Sequence, residues 1–133
     1  MTVGEWSGSV DAVWLSIPPS SAHLRSVRLV AADAADRAGL DCHEVEDFRI
    51  AVDELCHFLM TSSDYGVSIS FVVEGGCAIA RGFAKARDGA ELPTMADLSK
   101  RIVGSVADYF EIGREDGELT FSVVKQRAVV ARQ

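Results

Sequence analysis

The spacing of apolar positions changes along the chain, and each change predicts an element. Residues 10–17, VDAVWLSI, have the β-branched and aromatic content of a strand, and Pro18-Pro19 stops it because proline cannot donate to a ladder. From about 21 to 38, SAHLRSVRLVAADAADRA places Leu24, Val27, Val30 and Ala31 at helical spacing. A hydroxyl of Ser20 or Ser21 can accept from a free backbone N–H at its start, and Gly39 ends it. A second helix is predicted over about 43–62, where Val45, Phe48, Val52, Leu55 and Leu59 form one apolar stripe. VSISFVV (67–73) and CAIARGFA (77–84) read as paired strands across Glu74-Gly75-Gly76, since Gly-Gly tolerates the positive φ of a tight hairpin. A polar loop follows at 85–94. A third helix is predicted over about 95–107, then two strands, YFEIGR (109–114) and ELTFSVVK (118–125), joined at Asp116-Gly117.

The order β-α-α-β-β-α-β-β predicts an α+β two-layer sandwich: a mixed, mostly antiparallel sheet with its helices on one face. No repeat, low-complexity segment or linker interrupts it, so residues 1–133 read as a single domain. The alternation in VSISFVV and ELTFSVV supplies part of the reason why the other sheet face can meet water.

Charge and cysteine usage narrow the classes. The net charge of −7, from 20 acids against 13 bases, argues against a general nucleic-acid binder, which needs a basic face. Three cysteines, Cys42, Cys56 and Cys77, are odd in number and widely spaced, which suits reduced thiols in a cytoplasmic protein. The first residues have no basic segment followed by an apolar run, so no leader is expected. No uncharged run reaches the ~18 residues of a membrane span.

The chemistry-bearing stretch is EDFRIAVDELCHFLM, residues 46–60, with Asp53-Glu54 inside an otherwise apolar helix. At about 100° per residue, Glu54 lies roughly 140° from the centre of the apolar stripe, on a face it shares with Asp47 and Phe58. Two readings follow. The acids are solvated and Phe58 meets a loop or a partner, or Glu54 sits in a pocket that perturbs it. For Phe58 the choice is core filling or an exposed anchor, and the cost of an empty apolar cavity favours filling. Cys42-His43 and Cys56-His57 invite a zinc reading, but on one helix they lie roughly 20 Å apart along the axis, too far to share an ion. His23 stands alone and reads as surface. The Gly-x-Ser-x-Gly elbow of a hydrolase is absent from the sequence.

EVEDFRIAVDELCHFLM (44–60), LRSVRLVAADAADRAGL (24–40) and IVGSVADYFEI (102–112) together resemble the histidine-kinase-like ATPase fold, and more narrowly the RsbW type of bacterial anti-sigma factor and serine kinase. The resemblance covers most of the chain and is most specific in the second helix. It implies three nucleotide signatures. The first is a Glu and an Asn four apart, on one helical face, for general base and Mg²⁺ ligand. Glu54 keeps the first position, but Phe58, which has no oxygen, occupies the second. The second is an Asp-x-Gly-x-Gly turn for adenine; Asp88-Gly89 is what matches it here, and Asp-Gly is also an ordinary turn. The third is a glycine-rich lid over the phosphates, where this chain reads LPTMADLSKRIVG with only Gly104. Lys85, Arg87, Lys100 and Arg101 are the bases available to an anion there.

The resemblance therefore implies a degenerate member: the fold retained, Mg·ATP binding lost, and a role in binding a sigma factor or a STAS-domain antagonist. Arg25 and Arg28, three apart on the first helix, would belong to the partner patch, and a homodimer would be usual. The alternative it implies is an active serine/threonine kinase acting on a STAS-domain serine, with Mg·ATP as cofactor and Glu54 as base.

Overall fold

The computed structural model describes residues 11–89 and 93–129. Val10, the start of the first predicted strand, three residues of the polar loop and the last four of the chain lie outside the described residues.

Five strands and three helices follow the predicted order: β1 Ala12–Ile17, α1 Leu24–Arg37, α2 Cys42–Thr61, β2 Val67–Glu74, β3 Cys77–Lys85, α3 Asp97–Val106, β4 Tyr109–Glu115 and β5 Glu118–Gln126. The first helix is preceded by a 3-10 turn, Ser21–His23, whose N-terminal Ala22 amide donates to the Ser20 hydroxyl at 3.3 Å. The sheet order is β1-β2-β3-β5-β4, and every ladder is antiparallel. The expected mixed sheet had left room for a parallel pair. Among the described residues there is none: β2–β3 and β4–β5 are tight hairpins, the long connection through α1 and α2 returns β2 antiparallel to β1, and the one through α3 sets β4 beside β5 and not beside β3.

Both predicted hairpins close on turns with two successive positive φ values: 57° and 77° at Gly75-Gly76, and 51° and 76° at Asp116-Gly117. That pairing matches the twist of the flanking strands, and aspartate is among the few side chains that accept it. Helix α2 starts on a capping box. The Glu44 amide donates to Asp41 Oδ1 at 2.8 Å, and Glu44 Oε1 accepts from the Asp41 amide at 2.9 Å. The other Glu44 oxygen accepts from the Ala128 amide at 2.7 Å, which ties the chain beyond β5 to this helix start.

The register fixes two sheet faces. One carries the rows Leu15–Ile69–Gly82–Phe121–Ile112 and Val13–Phe71–Ala80–Val123–Phe110. These pack under α1 and α2, with Val27, Ala31, Phe48, Val52, Leu55 and Leu59 fully buried between the layers. Three alanines of α1, Ala31, Ala34 and Ala35, are buried, and their small side chains let the helix approach its neighbours closely. The opposite face carries Trp14–Ser70–Arg81–Ser122–Glu111 and Ser16–Ser68–Phe83–Thr120–Gly113, and among the described residues no helix covers it. Among the described residues no helix is long and apolar enough to cross a membrane.

Candidate functional site

The end of the second helix, the loop after β3 and the Pro93-Thr94 segment ahead of α3 converge on a cleft of about 290 Å³ lined by Phe58, Ser62, Ala86, Arg87, Pro93 and Thr94. That volume is at the bottom of the ~300–1,000 Å³ range of small-molecule sites. Of the three residues predicted to share a face of α2, Phe58 lines this cleft, while Asp47 and Glu54 are not among its lining residues. Asp47 and Glu54 are half-buried, and Asp47 forms an ion pair at 3.3 Å with Lys125 of β5. Lys125 also donates to the Val106 carbonyl at 2.9 Å, so one ammonium joins β5, α2 and the end of α3.

Phe58 falls between the two expectations. It is half-buried, with one side packed against the core and the other lining the cleft. Around it the end of α2 is saturated with donors. Thr61 and Ser62 hydroxyls both donate to the Phe58 carbonyl, at 3.1 and 2.8 Å. Arg87 donates from Nη1 to the Thr61 carbonyl at 2.8 Å and from its amide to the Ser62 carbonyl at 3.2 Å, while Nε pairs with Asp64 at 3.0 Å. A cation over these last carbonyls complements the negative end of the helix.

The expected adenine residue, Asp88, is exposed and directed elsewhere. It accepts from the Tyr65 hydroxyl at 2.6 Å, and Lys85 approaches it at 3.9 Å while lying 4.7 Å from the Tyr65 ring centre. The hydrogen bond to Asp88 pushes the Tyr65 hydroxyl pKa above its ordinary value. Gly89 has φ of 72°, a turn conformation, with open space where a side chain would start. Lys100 and Arg101 are exposed on α3.

Mg·ATP, the group the resemblance implies, finds few suitable donors among these residues. Position 58 offers no oxygen, Arg87 is held by helix carbonyls and Asp64, and Asp88 is held by Tyr65. Arg87 as a helix clamp and Tyr65 as the partner of Asp88 were not foreseen. Both join residues 23 or more apart in sequence, and no local motif announces such a pair.

The predicted partner patch is on the outer side of α1. Arg25 and Arg28 are exposed, but Arg28 reaches across to α2 and pairs with Asp53 at 2.8 Å. The hydrogen bond to that carboxylate raises the arginine pKa further above its ordinary value. Arg28, Arg49, Ile50 and Asp53 line a shallow depression of about 210 Å³, and Leu29 beside it is 64 % exposed. Asp53 and Glu54 therefore serve different faces. Of the acidic pair that is continuous in sequence, Asp53 is engaged on the α1 side and Glu54 does not line that depression.

The cysteines and histidines that invited a metal are dispersed. Cys42 is exposed at the start of α2, Cys56 is buried and Cys77 is half-buried on β3. Among the described residues no three His, Cys, Asp or Glu side chains are grouped to hold an ion.

The fold is RsbW-like. The chain superimposes on a crystal structure of the RsbU and RsbW domains of Rv1364c from Mycobacterium tuberculosis with a TM-score of 0.64 and 12 % identity. The match covers 92 % of this chain and 34 % of that one, so the chain spans about a third of the neighbour's length. No family model matches the chain, and no curated protein sequence does.

Proposed function

We propose that the chain is a regulatory binding module of the RsbW type, which engages a sigma factor or a STAS-domain antagonist without turning over ATP. The observation that carries this reading is Phe58. At the position where the resembling family needs an oxygen ligand for Mg²⁺, an aromatic ring packs half into the core and narrows the cleft. The fold shared with an RsbW domain supports the class of partner. The α1 side, with Arg25, Leu29 and the Arg28–Asp53 pair, is the proposed contact, and the cytoplasm is the proposed location.

Titration calorimetry of the purified chain with Mg·ATP and Mg·ADP tests the loss of nucleotide binding. No heat up to millimolar nucleotide is expected, and micromolar binding would overturn it. The partner half is tested by mixing the chain with purified sigma factors and STAS-domain proteins of the same genome. Arg25→Glu with Arg28→Glu should abolish the complex that forms, and failure to bind any of them sinks the regulatory role.

Retention of Glu54 one helical turn before Phe58 favours one second reading, an active serine/threonine kinase with Glu54 as base. It requires phosphate transfer to a STAS-domain serine in wild type and not in Glu54→Ala. Equal incorporation in both would remove Glu54 from that role.

A further inference from the structure

The sheet face turned away from α1 and α2 holds a hollow of about 310 Å³. Its walls are aromatic and its floor is hydroxylated. Trp14 rises from β1 and Phe83 from β3, each half-exposed. Between those strands β2 contributes only Ser68 and Ser70 to the hollow. Gly113 keeps the β4 end open. A Cβ there would sit 2.4 Å from Thr120 Oγ1, so a side chain and that hydroxyl could not both keep their places. The informative residue is Ser70. It is 1 % exposed, and among the described residues its hydroxyl has no hydrogen-bond partner, whereas the Ser68 hydroxyl has that of Ser16 at 3.5 Å. A buried hydroxyl left without a partner is costly, and native proteins contain few.

We propose that this hollow binds a small, uncharged, planar aromatic molecule of two fused rings, with one hydrogen-bonding group that meets the Ser70 hydroxyl. The shape of the ligand follows from the walls. Strands β1 and β3 lie two spacings apart, ~10 Å. Once the Trp14 and Phe83 rings have taken their share of that width, a slot remains for a flat ring system. A ring placed there can stack against one wall and meet the other edge-on, the two arrangements that aromatic pairs prefer. Its charge follows from the lining. The hollow holds one charge of each sign, Arg81 and Glu111, and the Tyr109 hydroxyl donates to Glu111. The lining therefore has no net charge with which to select an anion or a cation. Its size follows from the volume, which is at the lower end of small-molecule sites and suits two fused rings better than a nucleotide or a peptide segment. The Ser70 hydroxyl can both donate and accept, so either kind of polar group on the ring satisfies it. An apolar concavity with one convergent polar group is the usual form of such a site.

The site is independent of the regulatory reading, since Arg25, Arg28 and Phe58 belong to helices on the other side of the sheet. Benzimidazole, a bicycle that is neutral at neutral pH and carries one donor and one acceptor, is the probe. Titrated into the isotopically labelled full chain, it should shift the amide resonances of Ser70, Arg81 and Ser122 saturably and leave those around Phe58 in place. A dissociation constant of about 1 mM or below is expected for a ligand of this size. Ser70→Ala should weaken binding about 3–10-fold, the net worth of one hydrogen bond. The same variant should not lower the melting temperature, because the hydroxyl has no partner within the protein to lose. Trp14→Ala, which removes a wall, should abolish saturation. No saturable shift up to tens of millimolar benzimidazole overturns the proposal. Equal affinity in Ser70→Ala, or a lower melting temperature with affinity unchanged, takes Ser70 out of the site and overturns it as well. Shifts of the same amides with protein concentration alone, and none with benzimidazole, would give the face to a second copy of the chain and overturn it equally.

Discussion

Phe58 and Cys56 lie two residues apart on α2, and the difference between them shows how one helix divides its duties. Cys56 faces inward and is fully buried, while Phe58 lies on the rim of the layer and closes one side of the cleft. Burial, with a smaller contribution from the Asp53 charge, pushes the Cys56 thiol up from its ordinary value near 9.0 to about 12. The sign of the linkage follows. The folded state holds the proton and the unfolded chain releases it above about 9, so this contribution is full below pH 9 and is lost as pH rises toward 12. Urea midpoints of wild type and Cys56→Ala measured between pH 8 and 11 should converge above pH 9. The wild type should lose about 1.4 kcal/mol per pH unit relative to the variant in that range. Parallel curves would show that the thiol ionises without regard to folding.

At the scale of elements, β3 and β5 pack closely across the Gly82–Phe121 pair. A Cβ placed on Gly82 would sit 2.1 Å from a Phe121 ring carbon, and Phe121 is buried under the helices with little room to swing away. Gly82→Ala should therefore cost about 2–3 kcal/mol in urea unfolding, in the upper range for overpacking. Adding Phe121→Leu should restore part of that loss, a coupling of at least ~1 kcal/mol in a double-mutant cycle. Strict additivity would mean that the ring does not lie across Gly82. This pair also marks the limit of what the sequence discloses. The order of elements was legible because each has its own period and its own stop: Pro18-Pro19, Gly39, Gly75-Gly76 and Asp116-Gly117. Glycine inside CAIARGFA read only as a strand residue, since its reason lies on β5, nearly forty positions further on. The site was legible where a motif is local, as in Glu54 and Phe58 one turn apart. It was not where partners come from distant elements, as with Arg87 over the end of α2, Tyr65 on Asp88, and Lys125 between Asp47 and Val106.

For the molecule as a whole, stability is unevenly distributed. Strands β2, β3 and β5 have ladder partners on both sides, and their inward residues are buried under α1 and α2. Strand β4 is an edge with no fully buried residue, and α3 buries only Val103 along its length. Regions with few buried apolar contacts open first, without global unfolding. Native-state hydrogen exchange should therefore show amides of α3 exchanging at least ~100-fold faster than those of Ile69, Phe71, Ala80 and Val123, whose opening requires the whole fold. Val103→Ala separates the two units. It removes the one side chain that α3 buries completely, so it should speed exchange within α3 and leave the order and protection of the β2 and β3 amides nearly as they were. A uniform acceleration across the sheet would instead mean that α3 belongs to the global unit. The distinction matters for the cleft, because Pro93 and Thr94, which lead into α3, form one of its walls against Phe58. A wall on a separately opening element can move without disturbing the α1–α2 face or the open sheet face. Ligand entry at the cleft and binding at either face would then be governed by different parts of the structure.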